Sequence, residues 1–130
     1  MLIRDIAEMI QAGGEGTVGI NIFLGQLPDT PDDAVAIFAT GGYKQALPIP
    51  DIQATVQVLI RAQTFETAHN WAWRIFNLLD DGGKGLKTAP SGREMVIKAM
   101  QPPFTLGRDD AGRAEMVFNL EVWTTREVGA

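Results

Sequence analysis

Residues 51 to 80, "DIQATVQVLIRAQTFETAHNWAWRIFNLLD", change from a two-residue to a 3.6-residue hydrophobic period and so decide the fold class. In the first half, apolar residues alternate with polar ones from Ile52 to Ala62, which is the pattern of a half-buried strand. Thr64 suits the N-cap of a helix that follows directly, because its hydroxyl can accept a backbone N–H of the first turn. The apolar residues of that helix recur at three- and four-residue steps: Phe65, Ala68, Trp71, Ala72, Ile75, Leu78 and Leu79. We therefore predict a long strand that leads straight into an amphipathic helix.

Shorter patterns on both sides complete the predicted fold. Apolar residues at helical spacing predict a helix over residues 2 to 12, which ends at the glycines that follow it. Further strands are predicted at residues 17 to 24, 34 to 40, 93 to 100 and 113 to 125. The order α-β-β-β-α-β-β favours an α+β fold, in which one mainly antiparallel sheet carries two helices packed on one face.

Three polar stretches between these elements are predicted as loops: residues 25 to 33, 41 to 51 and 82 to 92. They combine glycine, proline and polar residues with little that could be buried. We therefore expect few contacts to offset their conformational entropy in a free subunit.

Composition bounds the class of protein. The 130 residues are 45% hydrophobic, which fits one domain over residues 1 to 130. The net charge of −5 disfavours nucleic-acid binding, because phosphate affinity comes mostly from lysine and arginine. The chain has no cysteine, which excludes disulfides and thiolate metal sites. It also has no apolar run of roughly 18 residues, and its start, "MLIRDIAEMI", carries charges where a secretory signal is apolar, so we expect neither a membrane span nor export.

Candidate catalytic groups are few. His69 is the only histidine and lies within the predicted long helix without a second histidine at i+4, so a metal site is not expected. Ser91, the only serine, lies in a turn-like "APSGRE" that does not resemble a nucleophile elbow. "GGKGLKT" lacks the Ser or Thr that a phosphate-binding loop needs directly after Lys84. Because the paired aspartates stand beside proline or glycine, we interpret them as turn and helix-end residues and expect no catalytic, cofactor-binding or metal-binding residues.

The stretch "QPPFTLGRDDAGRAEMVFNLEVW", residues 101 to 123, predicts a hairpin. Asp109 to Gly112 have the composition of a tight turn, since aspartate bonds nearby backbone N–H groups and glycine accepts positive φ. In the strand that follows, one face is apolar: Met116, Phe118, Leu120 and Val122. The other face carries Glu115, Asn119, Glu121 and Trp123.

Three blocks together resemble the minor capsid and tail terminator (tail completion) proteins of long-tailed bacteriophages and prophages. They are "LPDTPDDAVAIFATGG", then "PDIQATVQVLIRA" running directly into "QTFETAHNWAWRIFNLLD", and finally "IKAMQPPFTLGRDDAGRAEMVFNLEVW". The similarity spans nearly the whole chain, and the final block is its most specific part. One departure is Leu120, where the family commonly has phenylalanine. No catalytic residues belong to the family pattern, so none is carried over and no enzyme is expected.

The resemblance implies a structural virion protein that forms a ring, typically of six copies, at the head-proximal end of the tail tube. Such a ring stops tube growth and joins the tail to the head. The implied partners are other copies of the chain, the major tail tube protein and a head connector or completion protein, with no specific nucleic-acid binding and no membrane. The implied location is the host cytoplasm during assembly and then the tail or neck of the virion.

Two other classes of function stay open at this point. One is another neck or head-completion role in the same particle, which would use the same surfaces with another stoichiometry. The other is a small ligand-binding or enzymatic α+β domain, which would need a deep apolar pocket with a few convergent polar groups.

For a ring, five residues are candidates for the assembly interface: Arg108, Asp109, Asp110, Arg113 and Trp123. A turn needs aspartate and glycine but no flanking arginines, and a charged tip can pair across a subunit boundary. The alternative is that the arginines pair only with the neighbouring acids in an exposed arrangement of little energetic value. Both acids are then surface residues that we expect to tolerate lysine without unfolding.

The tryptophans are the aromatic candidates for subunit contact, since aromatic residues are over-represented at interfaces. Trp123 lies on the polar face of the last strand. Trp71 and Trp73 cannot both join one narrow core stripe of the long helix, so one of them is a second candidate.

Overall fold

The computed structural model describes residues 1–42 and 51–125, which form two helices and seven strands. The elements are α1 (Leu2–Ala12), β1 (Ile22–Leu24), β2 (Ala34–Gly42), β3 (Asp51–Ala62), α2 (Phe65–Leu79), β4 (Lys87–Thr88), β5 (Glu94–Ala99), β6 (Phe104–Arg108) and β7 (Ala114–Thr125). The predicted elements are all present in the predicted order. The short strands β4 and β6 were not assigned from the sequence: β4 lies within the predicted loop of residues 82 to 92, and β6 is the arm before the predicted hairpin turn.

All seven strands join one sheet of order β1-β2-β3-β7-β5-β4, with β6 paired to β7 beside that path. The central pair, β3 and β7, is antiparallel along its whole length, from Asp51 opposite Thr125 to Ala62 opposite Ala114. Strands β5 and β6 follow one another along the other edge of β7. Only β1 with β2 pairs in parallel among the described strands, which confirms the prediction of a mainly antiparallel sheet.

Both helices cover one face of the sheet, as predicted, and we call this the helix face and the opposite side the outer face. Helix α1 contacts β1 and β2, and α2 contacts β3 and β7. The strong alternation of β3 and β7 sends their even-numbered apolar residues into this core. Phe118 on β7 is fully buried there and meets Phe76 of α2 edge-to-face, with 5.5 Å between ring centroids.

The start of α2 is capped as the sequence predicts. Thr64 accepts a hydrogen bond of 3.2 Å from the backbone N–H of Thr67. Within the helix, Trp71 is buried and its indole N–H donates to the carbonyl of Glu15, at 2.9 Å. Trp73 is half-buried in a row of aromatic rings with His69 and Phe76. The two tryptophans thus occupy different environments, as the width of the core stripe requires.

The predicted strand at residues 17 to 24 is wrong in its first half. The carbonyl of Thr17 accepts N–H groups from Ile20, Asn21 and Ile22, which winds this segment into a turn. Gly19 has φ of +87°, a conformation that a strand does not use, and Ile20 is 66% exposed. Strand β1 therefore has only the three residues Ile22–Leu24, and the turn lies against its outer edge.

The predicted loop at residues 41 to 51 also needs correction at both ends. Gly41 and Gly42 extend β2, and Asp51 begins β3. The irregularity of β2 between Ala39 and Gly42 explains why the alternation stops early, because a bulge breaks the two-residue period. Residues 43 to 50 of this prediction lie outside the described residues.

Candidate functional site

The hairpin tip between β6 and β7 is the turn that the sequence predicts. The N–H of Gly112 donates to the carbonyl of Asp109 at 2.9 Å, and Gly112 has φ of +81°. The Asp109 carboxylate oxygen Oδ1 accepts the backbone N–H groups of Ala111 and Arg113 at 3.0 and 2.8 Å. Asp109 therefore organises the turn with its side chain as well as with its backbone.

Arg113 points into the molecule instead of into solvent. Its side chain is only 10% exposed, and its Nε donates to Asp109 at 2.8 Å. Its terminal nitrogens reach residues far away in the sequence, namely the carboxylates of Asp29 at 2.9 Å and of Asp32 at 3.2 Å, and the carbonyl of Asp29. Arg113 thus connects the hairpin tip to the loop of residues 25 to 33.

Arg61 holds the same loop from β3. It lies on the outer face of the strand and is 3% exposed, although its place in the alternation predicts a solvated side chain. Its Nε donates to the carbonyl of Asp32 at 3.0 Å, and one terminal nitrogen donates to the carbonyls of Pro28 and Pro31 at 2.7 and 2.6 Å. The planar guanidinium presents several donors in a fixed fork, which suits a group of converging carbonyl oxygens.

Gln63 completes the attachment. Its backbone N–H donates to Asp33 at 3.0 Å, and its side-chain amide donates to Asp32 at 2.7 Å. We call Arg61, Gln63 and Arg113, together with the loop that they hold, the loop clamp. The expectation that this loop has few contacts of its own is therefore wrong, because two arginines and a glutamine replace the missing apolar contacts.

The charges of the loop clamp stabilise one another. The hydrogen bond from Gln63 lowers the pKa of Asp32, and the nearby guanidinium groups lower it further against the opposing effect of burial. Burial alone would raise the pKa of Asp109, but hydrogen bonds from the backbone and side chain of Arg113 outweigh it and the pKa is lowered. Burial would lower the pKa of Arg113, yet hydrogen bonds to Asp109 and Asp29 raise it. All three groups are thus held in their charged forms.

The other candidate residues at the tip face solvent. Arg108 is exposed, and one of its terminal nitrogens donates to the carbonyl of Gly112 at 2.7 Å. Asp110 is exposed at the corner of the turn. The "GRDDAGR" segment therefore divides into two inward residues, Asp109 and Arg113, and two outward ones.

Trp123 lies in a different region. It is 36% exposed on the outer face, opposite Gln53 of β3 and Val96 of β5. An open cleft of about 370 Å³ adjoins it and is lined by Asp51, Leu86, Glu94, Val96, Trp123, Thr124 and Thr125. The five predicted interface residues thus form two separate groups, at opposite ends of β7, rather than one site.

Sequence reasoning missed the role of Arg61 and the exposed apolar residues of β6. Phe104 is 41% exposed and Leu106 is 57% exposed. The one signal available for Arg61 was its place at the end of a strand in the second block of the resemblance. Its partners lie about thirty positions upstream, so no local pattern could have shown them.

A metal-binding cluster is absent from the described part of the chain. No group of three or more His, Asp or Glu residues there could hold a metal ion. His69 is packed between the rings of Phe65 and Trp73, with centroids 5.7 and 6.4 Å away. Neither described helix is long and apolar enough to cross a membrane.

Comparison with known proteins assigns the family. Residues 9–126 match the family model described as "Bacteriophage tail terminator protein". No curated protein matches the sequence. One solved structure, whose name states no function, is similar with a TM-score of 0.53 and 10% identity, over 95% of this chain and 91% of that chain, which supports the fold alone. Because the family match covers most of the sequence, the chain belongs to the bacteriophage tail terminator family.

Proposed function

We propose that this protein forms a ring, of six copies, on the head-proximal end of the phage tail tube. There it stops the addition of tube subunits and presents a surface that joins the tail to the head. The observation that carries this proposal is the family match over residues 9–126. The partners are further copies of the chain, the major tail tube protein and a head connector or completion protein. The role is structural, first in the host cytoplasm during assembly and then in the virion.

The surface of the described residues has features that are typical of protein–protein interfaces. Large apolar side chains are exposed on strands β6 and β7 and just beside β4 and β5: Leu86, Met100, Phe104, Leu106 and Trp123. Clustered exposed apolar residues are typical of protein interfaces. The outward residues of the hairpin tip, Arg108 and Asp110, add charge that can set the orientation of a partner.

The experiment that tests this function is removal of the protein from a phage that encodes it. We expect tails of irregular and excessive length without attached heads, and recovery of a uniform length when the protein is supplied from a plasmid. Electron microscopy of the lysates gives both the length distribution and the fraction of joined particles.

Two results would contradict the terminator role. Tails of normal, uniform length that fail to join heads would assign the protein to another neck or head-completion function. Fully assembled particles without the protein would remove it from the virion pathway altogether.

A further inference from the structure

One row of the outer face is apolar across five strands. Residues directly opposite each other in paired strands have their side chains on the same face of the sheet. The row runs from β1 through β2, β3 and β7 to β6 and consists of Phe23, Ala36, Leu59, Val117 and Phe104. Because neighbouring strands are about 4.8 Å apart, it is about 19 Å long. We call it the apolar row.

The apolar row departs from the pattern of the rest of this face. An antiparallel sheet that carries helices on one side usually has polar residues on the other. Positions of the outer face nearer the middle of the two central strands follow this rule: Gln53, Thr55 and Gln57 on β3, and Asn119 and Glu121 on β7. The members of the apolar row are not part of the core beneath the helices, so packing of that core does not explain them.

The apolar row is only partly covered within the subunit. Ala36 and Val117 are buried, whereas Phe23 and Leu59 are half-buried and Phe104 is 41% exposed. Neither described helix lies over the row, because both pack on the opposite face of the sheet. A continuous apolar surface that remains open in this way is typical of a protein interaction site.

The border of the apolar row toward the loop clamp is acidic where it meets solvent. Arg61 and Glu115 lie opposite each other at the next outer-face position of β3 and β7. Arg61 is 3% exposed and the side chain of Arg113 is 10% exposed, so both arginines are covered. The carboxylates of the loop that they hold are open to solvent, with side-chain exposures of 91% for Asp29 and 48% for Asp32. The charges that a partner meets at this border are therefore mainly negative.

A second copy of the chain fits this surface poorly. It brings the same acidic border and a net charge of −5, and like charges that face each other weaken association. The exposed lysines of the described residues also lie near acids, since Lys98 is opposite Glu121 and Lys84 follows Asp81 in the same loop. The surface fits better with a different protein whose apolar contact area has lysine or arginine along one side.

We propose that the apolar row binds the end of the tail tube. The tube subunits cover Phe23, Leu59 and Phe104 with an apolar surface about 20 Å long, and their basic side chains face Asp29 and Asp32. The tube is the partner that a tail terminator must contact in order to stop its growth. This inference rests on the proposed function and assigns the outer face to the tube, so that contacts between copies use other surfaces.

Binding to isolated tubes tests the apolar contact. The probe is tail tubes purified from a phage that lacks this protein, and binding is measured by co-sedimentation with the purified chain. Phe104→Asp should bind the tubes at least about tenfold more weakly, because it places a charge in the apolar contact. The matched control is Phe65→Asp, which makes the same replacement at a residue of α2 that is 48% exposed, and it should bind like the parent.

Removal of one charge tests the acidic border. Glu115→Gln keeps the size of a half-buried side chain on the outer face, and we expect tube binding to weaken by about threefold. Glu8→Gln makes the same change on α1, away from the apolar row, and should leave tube binding unchanged. Circular dichroism establishes that each variant is folded, and sedimentation velocity should show that all of them self-associate like the parent.

The outcomes separate this contact from the function itself. If Phe104→Asp caps tubes as well as the parent does, the inference is wrong and the terminator role stands. If Phe104→Asp loses self-association, the apolar row is a contact between copies, and if it binds tubes normally but fails to join heads, the row binds the head. Both results overturn the inference. A parent protein that does not bind tube ends overturns the proposed function together with this contact.

Discussion

Arg61 and Arg113 both hold the loop of residues 25 to 33, but they bind different groups in it. Arg61 binds mainly carbonyl oxygens, whereas Arg113 binds carboxylates together with one carbonyl. Both fasten a loop that has almost no apolar side chain to bury. A guanidinium can do this because it keeps its charge and offers five donors, while a lysine offers donors from a single point.

Replacement of Arg61 should be among the most damaging single changes in the chain. Arg61→Ala removes a buried guanidinium and leaves the loop carbonyl oxygens that it binds without these donors, and we expect a loss of about 3 kcal/mol in the free energy of unfolding. Arg61→Lys should lose less, since it keeps the charge and some of the donors. Urea denaturation measures both, with Arg4→Ala as an exposed control expected within about 0.5 kcal/mol of the parent. Equal free energies of unfolding for all three variants would show that Arg61 and the loop clamp do not contribute to stability.

The two aspartates of the tip should respond differently to lysine. Asp110→Lys changes an exposed residue and should leave the unfolding midpoint within a few degrees of the parent. Asp109→Lys removes the acceptor of three hydrogen bonds and places a cation beside Arg113, so its midpoint should fall clearly. This prediction for Asp109 departs from the sequence-based expectation that both acids tolerate lysine. Differential scanning fluorimetry of the two single variants decides the point, and equal midpoints would restore that expectation.

Acid should weaken the loop clamp. The pKa of Asp32 and that of Asp109 are lowered in the folded chain, so each carboxylate contributes stability above the unfolded value of about 3.9. That contribution is lost as the pH falls through the lowered folded pKa. We expect the free energy of unfolding to decline below about pH 4, and the decline to be shallower in Asp109→Asn. Denaturant titrations from pH 7 to pH 3 measure this, and identical slopes for parent and variant would contradict it.

At the scale of elements, the sequence predicts the helices and strands that have a regular hydrophobic period. Strand β3, helix α2 and strand β7 were predicted closely because each has eleven or more residues and one buried face. Strand β6 was implied only as the first arm of the predicted hairpin and was given no bounds, because its two apolar side chains are exposed and a bulge interrupts its alternation. The turn that shortens β1 was hidden by the alternating sequence of residues 17 to 24, since Ile20 follows the strand pattern but faces solvent.

The attachment of α1 to the sheet should depend on one buried ion pair. Asp5 of α1 is 2.8 Å from Nε of Arg93, just before β5, with side-chain exposures of 7% and 14%. Asp5→Ala leaves the arginine charge without this partner in a mostly buried place, and we expect a loss of about 3 kcal/mol. Glu8→Ala on the same helix, which is less buried, is the matched control and should cost far less. Chemical denaturation compares the two, and equal losses would show that the pair has no special weight.

At the scale of the whole molecule, candidate sites were predictable only as a set of exposed or charged residues. Arg108 and Trp123 are indeed exposed, whereas Arg113 is committed within the subunit. What joins Leu86 to Trp123 in one cleft is strand pairing between distant segments, which no spacing in the sequence records. The fold class can be predicted from the hydrophobic period of each segment. The residues that share one surface site depend instead on which distant segments pair in the sheet.

The free protein should associate only weakly. Each copy carries a net charge of −5, so neighbouring copies repel one another. We expect a monomer at micromolar concentration and larger species only at high concentration or on a tube end. Sedimentation velocity over a wide concentration range measures this. A two-fold dimer that persists at nanomolar concentration would contradict the ring.

The loop clamp has a consequence for how this surface can evolve. Because Arg61 grips main-chain oxygens, the course of the loop depends little on which side chains it carries at exposed positions such as Gln26 and Thr30. Mutation can therefore change the exposed side chains of the loop without changing its backbone conformation. A library randomised at those two positions should yield mostly folded members. Selection could therefore change which partner surface the loop binds while the fold is kept.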